Sequence, residues 1–351
     1  MSDDILYDDE RCRRFNESLD GEGDIVIAGT SFTRSRILFD MDREYYKQAL
    51  TDFEEQEFEE LKQSIFDYYP ACIAYNFRLS EKGEGAADPV RKLLHLKDTW
   101  EAIVFILYAL VMGEVRYKKV DMKAAQVFVS HGADGNPVFG NFNSDKILSD
   151  AIKQKIHNIK GIIQFSKANG LRFKCEEIDE SLLDDLLALQ DIRNDISHHA
   201  TPTREQAEAE LRQVIPLFQW MLTKTRFLES CQILRFDTLG ASCRCETFNG
   251  HSLNREFEEF QFIDPQRAFI VGLGQEQLFV IWDAEIFSLS PFLHFDRDAT
   301  GHESYVCVYK GKREQKYWYE PVKVRTEKAF DPLQSRFETE KIELTGYLVQ
   351  S

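Results

Sequence analysis

Apolar residues recur at helical spacing over most of the first two thirds of the chain, and the period then changes. Over residues 90–115, Leu93, Leu96, Trp100, Ile103, Leu107 and Leu110 fall three and four apart, which predicts a long buried helix. Phe53, Phe58, Leu61, Ile65 and Phe66 form a broad apolar stripe over residues 41–69, a helix ended by Pro70. Residues 1–40 read as polar and irregular, with a short strand at 25–28. Residues 80–89, rich in Gly, Ala and charge, read as a loop. Residues 117–143 contain Gly132, Gly135, Pro137 and Gly140 and read as a long excursion. Ser144 can cap a second helix that reaches about residue 168, and Asp179 or Ser181 a third. Thr203 and Gln206 have capping-box spacing for a fourth, with a kink expected at Pro216.

After residue 230 apolar and polar residues alternate. Strands are expected at 233–238, 268–272, 277–282, 305–309 and 315–319. The chain therefore reads as an α+β multidomain protein in three parts. Residues 1–88 form an N-terminal extension, 89–230 an antiparallel four-helix bundle, and 231–351 a β-rich C-terminal domain.

Composition narrows the class. A hydrophobic fraction of 43% is ample for buried cores, and seven cysteines scattered along 351 residues suit reduced thiols better than a disulfide framework. The acidic start has no signal-peptide character, and the longest apolar run, 102–113, is too short to span a bilayer. Both features suit a soluble cytoplasmic protein that does not enter a membrane. A net charge of −17 argues against broad nonspecific nucleic-acid binding. The charge is uneven: six acids fall in residues 52–60, whereas residues 151–175 carry Lys153, Lys155, Lys160, Lys167, Arg172 and Lys174 and no acid. Lys153, Lys160 and Lys167 are candidate RNA contacts along a phosphate backbone; the other reading is a solvated helix face.

Near the end of the third helix, Arg193, Asn194 and His198 stand where a core-facing helix would carry Leu or Ile. Cations on such a face are costly unless paired or used. At about 100° per residue, Asn194 and His198 share a face one turn apart, and Arg193 lies toward Leu186, Leu189 and Ile196. A proton shuttle, a fixed positive charge and an orienting amide are what cleavage of an RNA phosphodiester needs. The other reading is a helix-end network in which His198 and His199 close the helix before Pro202.

The segment Leu-Leu-Ala-Leu-Gln-Asp-Ile-Arg-Asn-Asp-Ile-Ser-His-His-Ala resembles the signature helix of HEPN (higher eukaryotes and prokaryotes nucleotide-binding) domains, over residues 89–229. The resemblance implies an all-α bundle and metal-independent RNA cleavage: the 2′-hydroxyl attacks phosphorus and leaves a 2′,3′-cyclic phosphate and a 5′-hydroxyl. It assigns His198 as general acid or base, Arg193 to the phosphorane charge and Asn194 to orientation. Asp98 or Glu101, in Asp98-Thr99-Trp100-Glu101, matches an acidic position of many members. No cofactor is implied. A homodimer with a composite cleft is, and by analogy a toxin or antiphage role with an antitoxin or defence-system partner. Other bundles similar to these bind RNA or nucleotide, or only dimerise, and a noncatalytic module is the rival expectation.

Three further clusters lie in the β-rich part. Cys243, Cys245 and His251 lack the usual zinc spacing. His294, Asp296, Asp298 and His302 fall in an expected loop over 289–302, and Gly272-Leu273-Gly274 reads as a hairpin turn. Lys310, Lys312, Arg313 and Lys316 with Tyr317, Trp318 and Tyr319 suit a hairpin whose aromatics pack and whose cations face water, or else a base-stacking surface.

Overall fold

The structure is a computed structural model that describes residues 6–132, 134–198, 202–239, 243–324 and 326–350; the side chains of 191–198 lie outside the described set. The chain divides into two compact units, Met1–Gln63 and Ser64–Ser351. The bounds expected at residues 88 and 230 both fall inside the second unit.

The first unit contains α1 (Glu10–Asp20), the hairpin β1 (Ile25–Ile27) and β2 (Thr30–Phe32), α2 (Arg34–Met41) and most of α3 (Arg43–Tyr68). Residues 1–40, expected to be irregular, thus hold two helices. The apolar side chains that make them helical are sparse: Cys12 and Phe15 of α1 are buried with Tyr46 and Leu50, and Leu38 and Phe39 of α2 pack against that cluster. The rest of each helix is polar, which hides the pattern. Arg11 forks onto Glu54 and Arg14 onto Glu57 across the cluster's edge.

The second unit opens with α4 (Ala71–Glu81), which the sequence reading left unassigned, and α5 (Pro89–Lys118). Asp88 caps α5 and Pro89 starts it. A hairpin of β3 (Gln126–His131) and β4 (Pro137–Asn141) fills the expected excursion. The second helix is two, α6 (Ser144–Ile147), capped by Asn143, and α7 (Ile152–Asn169), ended by Gly170 in the left-handed conformation. Then come α8 (Glu180–His198) and α9 (Arg204–Thr223), the latter opened by the Thr203–Gln206 capping box and continuous through Pro216.

The four long helices pack together, but not all antiparallel. Lys155 lies over the rings of Phe105 and Tyr108, and further along both segments Lys174 and Cys175 donate backbone N–H groups to Glu114. α5 and α7 therefore run in the same sense, because the hairpin returns the chain before α7 begins. α8 runs back along α7, with Lys160 paired to Asp184 and Gln164 bonded to Glu180.

Beyond residue 230 lie β5 (Cys231–Leu239), β6 (Cys243–Thr247), β7 (Glu256–Phe260), α10 (Asp264–Leu273), β8 (Phe279–Trp282), β9 (Glu285–Ser288), β10 (Leu293–Arg297), β11 (Ser304–Arg313), β12 (Lys316–Pro321), β13 (Lys328–Ala329) and α11 (Asp331–Leu348). Two antiparallel sheets form, ordered β7-β6-β5-β8-β9 and β10-β11-β12-β13. The strand expected at 268–272 is α10. Its Phe269, Ile270 and Leu273 pack on the first sheet at helical spacing, and Asp264-Pro265 supplies the helix start. The expected hairpin turn after it is the end of α10, with Gly274 at φ 74°. α11 lays Phe337 flat on Tyr317, ring centroids 3.7 Å apart. Buried Glu246 of β6 joins the sheets through Arg235, Arg255, Arg297 and Ser304. Burial opposes its charge, but these hydrogen bonds win and pull its pKa down to about 2.

Candidate functional site

Three elements meet around an open pocket of about 350 Å³. α7 contributes a polar stripe. Lys153, His157, Lys160 and Gln164 recur at i, i+4, i+7 and i+11, on the side away from the buried Ile152, Ile156, Ile159 and Ile163. The β3–β4 hairpin lies against this helix at Gly161. A Cβ there would stand 2.5 Å from the Gln126 carbonyl oxygen and 2.8 Å from Val127 Cγ1, so only glycine permits the approach.

The hairpin's register then sets which side chains face in. Phe128 pairs with Phe139 and His131 with Pro137, and the register shifts between Phe128 and Ser130. Strict alternation would turn His131 away from Gln126 and Phe128. The bulge turns it back, and all three line the pocket. α8 closes the pocket with Leu187.

The interior is aromatic and mildly cationic. The Phe128 ring lies 4.4 Å from the His157 ring, 5.0 Å from His131 and 6.4 Å from Phe139. His157 is half-buried, and its Nε2 has no hydrogen-bond partner among the described residues. Burial, then the charges of Lys153, Lys160 and His131, hold its pKa down to about 4, so it is neutral at neutral pH. Lys153 is exposed at the rim. Lys160 is 2.7 Å from Asp184 in an exposed ion pair, which contributes little and can be exchanged for another anion.

Of the residues the sequence singled out, Lys153 and Lys160 line the pocket. Lys167 does not; it pairs with Glu180 at 3.2 Å. Asp98 lies 3.5 Å from Lys97 on α5. Buried Glu101 lies 3.9 Å from Lys97 and 4.0 Å from Lys310 of β11, and neither acid lines the pocket. Arg193, Asn194 and His198 fall on α8, but their side chains lie outside the described residues, as does His199 altogether. His131 and His157 were missed. The stripe Lys153-His157-Lys160-Gln164 was visible as a period; its partner strand was not.

The other clusters are structural. Cys243 and Cys245 face one core from β6, where burial pushes the Cys245 thiol up to about 12. The expected 289–302 loop contains β10, because Leu293 and Phe295 are core residues. His294 is buried against Phe295 and Phe330, its pKa pushed down to about 3 by burial and then by Arg336 and Lys328. Among the described residues no group of three or more His, Cys, Asp or Glu can hold a metal ion, and no helix is long and apolar enough to cross a membrane. Tyr317 and Tyr319 are buried, while Lys312 pairs with Glu338 and Lys316 with Asp331, so this hairpin packs its aromatics and neutralises its cations.

No family model matches the chain, and neither a curated protein nor a solved structure matches it.

Proposed function

We propose that the chain is a metal-independent endoribonuclease of HEPN type, acting in the cytoplasm as a homodimer. The observation that carries this reading is that the motif helix and the pocket share an element. Leu187 lines the pocket, and positions 194 and 198 follow it by seven and eleven residues. At about 100° per residue both return to within roughly 20° of the Leu187 stripe, about two and three turns beyond Leu187. The sense of α8 adds support. It leaves the neighbourhood of Glu114, where Lys174 and Cys175 are bound, and runs against α7 and hence against α5. Its end is therefore carried toward the α5 turn that holds Asp98 and Glu101.

In this reading His198 moves the proton, Arg193 holds charge on the phosphorus oxygens, and Asn194 orients one or the other. The pocket holds the adjoining nucleotide. A toxin or antiphage effector with a neutralising partner is the biological setting we infer. The noncatalytic reading, an RNA- or nucleotide-binding module, is favoured by the same pocket, whose aromatic and cationic lining needs no chemistry to bind.

The test is cleavage of single-stranded RNA by purified protein in EDTA, with product ends mapped. Cyclic-phosphate ends and a loss of about 100-fold or more for both His198→Ala and Arg193→Ala are expected, the scale for removing a general acid or base. Undiminished cleavage by His198→Ala would leave the binding module.

A further inference from the structure

We infer that the α7–hairpin pocket is a seat for one unpaired nucleotide of single-stranded RNA, its base against Phe128 and Phe139 and its phosphate at Lys153 and Lys160. This deepens the ribonuclease reading and rests on it for the identity of the strand.

The size comes first. At about 350 Å³ the pocket sits at the small end of ligand pockets, roughly 300–1,000 Å³, and suits one planar group with a short polar tail. Its walls are aromatic: the Phe128 ring lies 4.4 Å from the His157 ring and 6.4 Å from Phe139. A base stacks on such faces only when it is unpaired and splayed from its neighbours, which selects single strands over duplex.

The polar groups fit the rest of a nucleotide. His157 Nε2 is buried and unpartnered among the described residues, and the ring is neutral at neutral pH. Lys153 is exposed and Lys160 is paired, among the described residues, with an exposed carboxylate, so a phosphate can take both.

The charge pattern limits the seat to one nucleotide. Lys167, next along the stripe, does not line the pocket, and the chain as a whole carries −17. A long electrostatic track is therefore not what this face offers. It offers two cations at one aromatic pocket.

The experiment measures binding apart from cleavage. A short fluorescent unstructured RNA is titrated against full-length His198→Ala protein, with the same sequence as duplex for competitor. Phe139 and Lys153 are exposed, so substituting them leaves the fold intact. Phe139→Ala should weaken binding about tenfold, the scale of one lost base stack. Lys153→Ala should flatten the log–log salt dependence by about 0.7, one single-strand phosphate contact. Duplex should compete poorly. Unchanged affinity and salt slope in both variants, or equal competition by duplex, would overturn the seat. The two readings separate cleanly. Binding that depends on Phe139 without any cleavage by the wild type sustains the seat and removes the ribonuclease. Cleavage that depends on His198, with KM and binding unmoved by Phe139→Ala and Lys153→Ala, removes the seat and sustains the ribonuclease.

Discussion

Lys155 shows how far one side chain can be taken from water. It is 1% exposed, its ammonium lies over Phe105, Tyr108 and Tyr309, and it donates to the Ser149 carbonyl. Burial lowers its pKa to about 7; Asp150 opposes the shift and Lys310 adds to it. The unfolded chain holds this proton up to about 10.5, so between these values it binds more protons than the folded chain. Stability should accordingly rise with pH from 7 toward 9, by up to about 1.4 kcal/mol per unit from this group. The window closes near 9, because burial raises the thiol pKa of Cys175 and Cys307 above the ordinary 9.0 and reverses the sign there. Lys155→Met keeps the stem on the rings and removes the charge. Urea unfolding at both ends of that range should show the rise in wild type and its loss in the variant. An equal slope in both would assign it elsewhere.

At the scale of elements, close approach decides where the hairpin lies. A methyl at residue 161 meets backbone at 2.5 Å, and a carbonyl oxygen in a paired strand cannot simply turn aside. Gly161→Ala should therefore lift β3 from α7. Overpacking costs about 1–3 kcal/mol and the helix-propensity gain returns about 1, so the global effect is small. Local opening is the sensitive readout: amide exchange at Gln126 and Val127 should quicken while α5 stays protected. Gly346 of α11 is the control, since a Cβ there meets nothing within 4 Å. Gly346→Ala should stabilise by about 0.5–1 kcal/mol. Slow exchange in β3 of the Gly161 variant would mean that the hairpin is held from elsewhere.

The same scale explains what the sequence could and could not disclose. The α5 stripe and the Thr203–Gln206 box are local, and the structure has them where the pattern puts them. Residues 268–272 are a short apolar run, which fits either period, and the Asp264-Pro265 start signal lies outside that run. The pocket's cations were legible as a charge asymmetry. Its shape was not. His131 reaches His157 across 26 positions through a bulge, and a bulge leaves no mark in the alternation that a reader of sequence relies on.

At the scale of the molecule, the long helix α5 is the reason residues 64–351 form one unit. It is buried on all sides from Thr99 to Val115, and a helix apolar all round needs partners all round. The bundle covers part of it with α4, α7, α8 and α9, and the rest is covered by β9 and α11. The far contacts are tight and specific. A Cβ on Gly113 would stand 2.6 Å from the Ser288 carbonyl oxygen, the Tyr108 ring lies 5.0 Å from Phe292, and Arg116 is 3.1 Å from Glu343. Arg116 also donates to Ser290 and Lys118 to Glu285. Removing residues 231–351 would expose that side of α5 and strand Arg116 and Lys118 without their acids. The change from helical to alternating period near residue 230 therefore should not mark a point where the chain can be cut. The expected result is that a fragment covering 64–230 keeps far-UV helix signal but loses near-UV signal and binds a hydrophobic dye, whereas the intact chain's residues 64–351 lose both signals together in urea. A fragment with a sharp near-UV spectrum and its own cooperative transition would show instead that the bundle carries a complete core, and that the sheets are an addition to it.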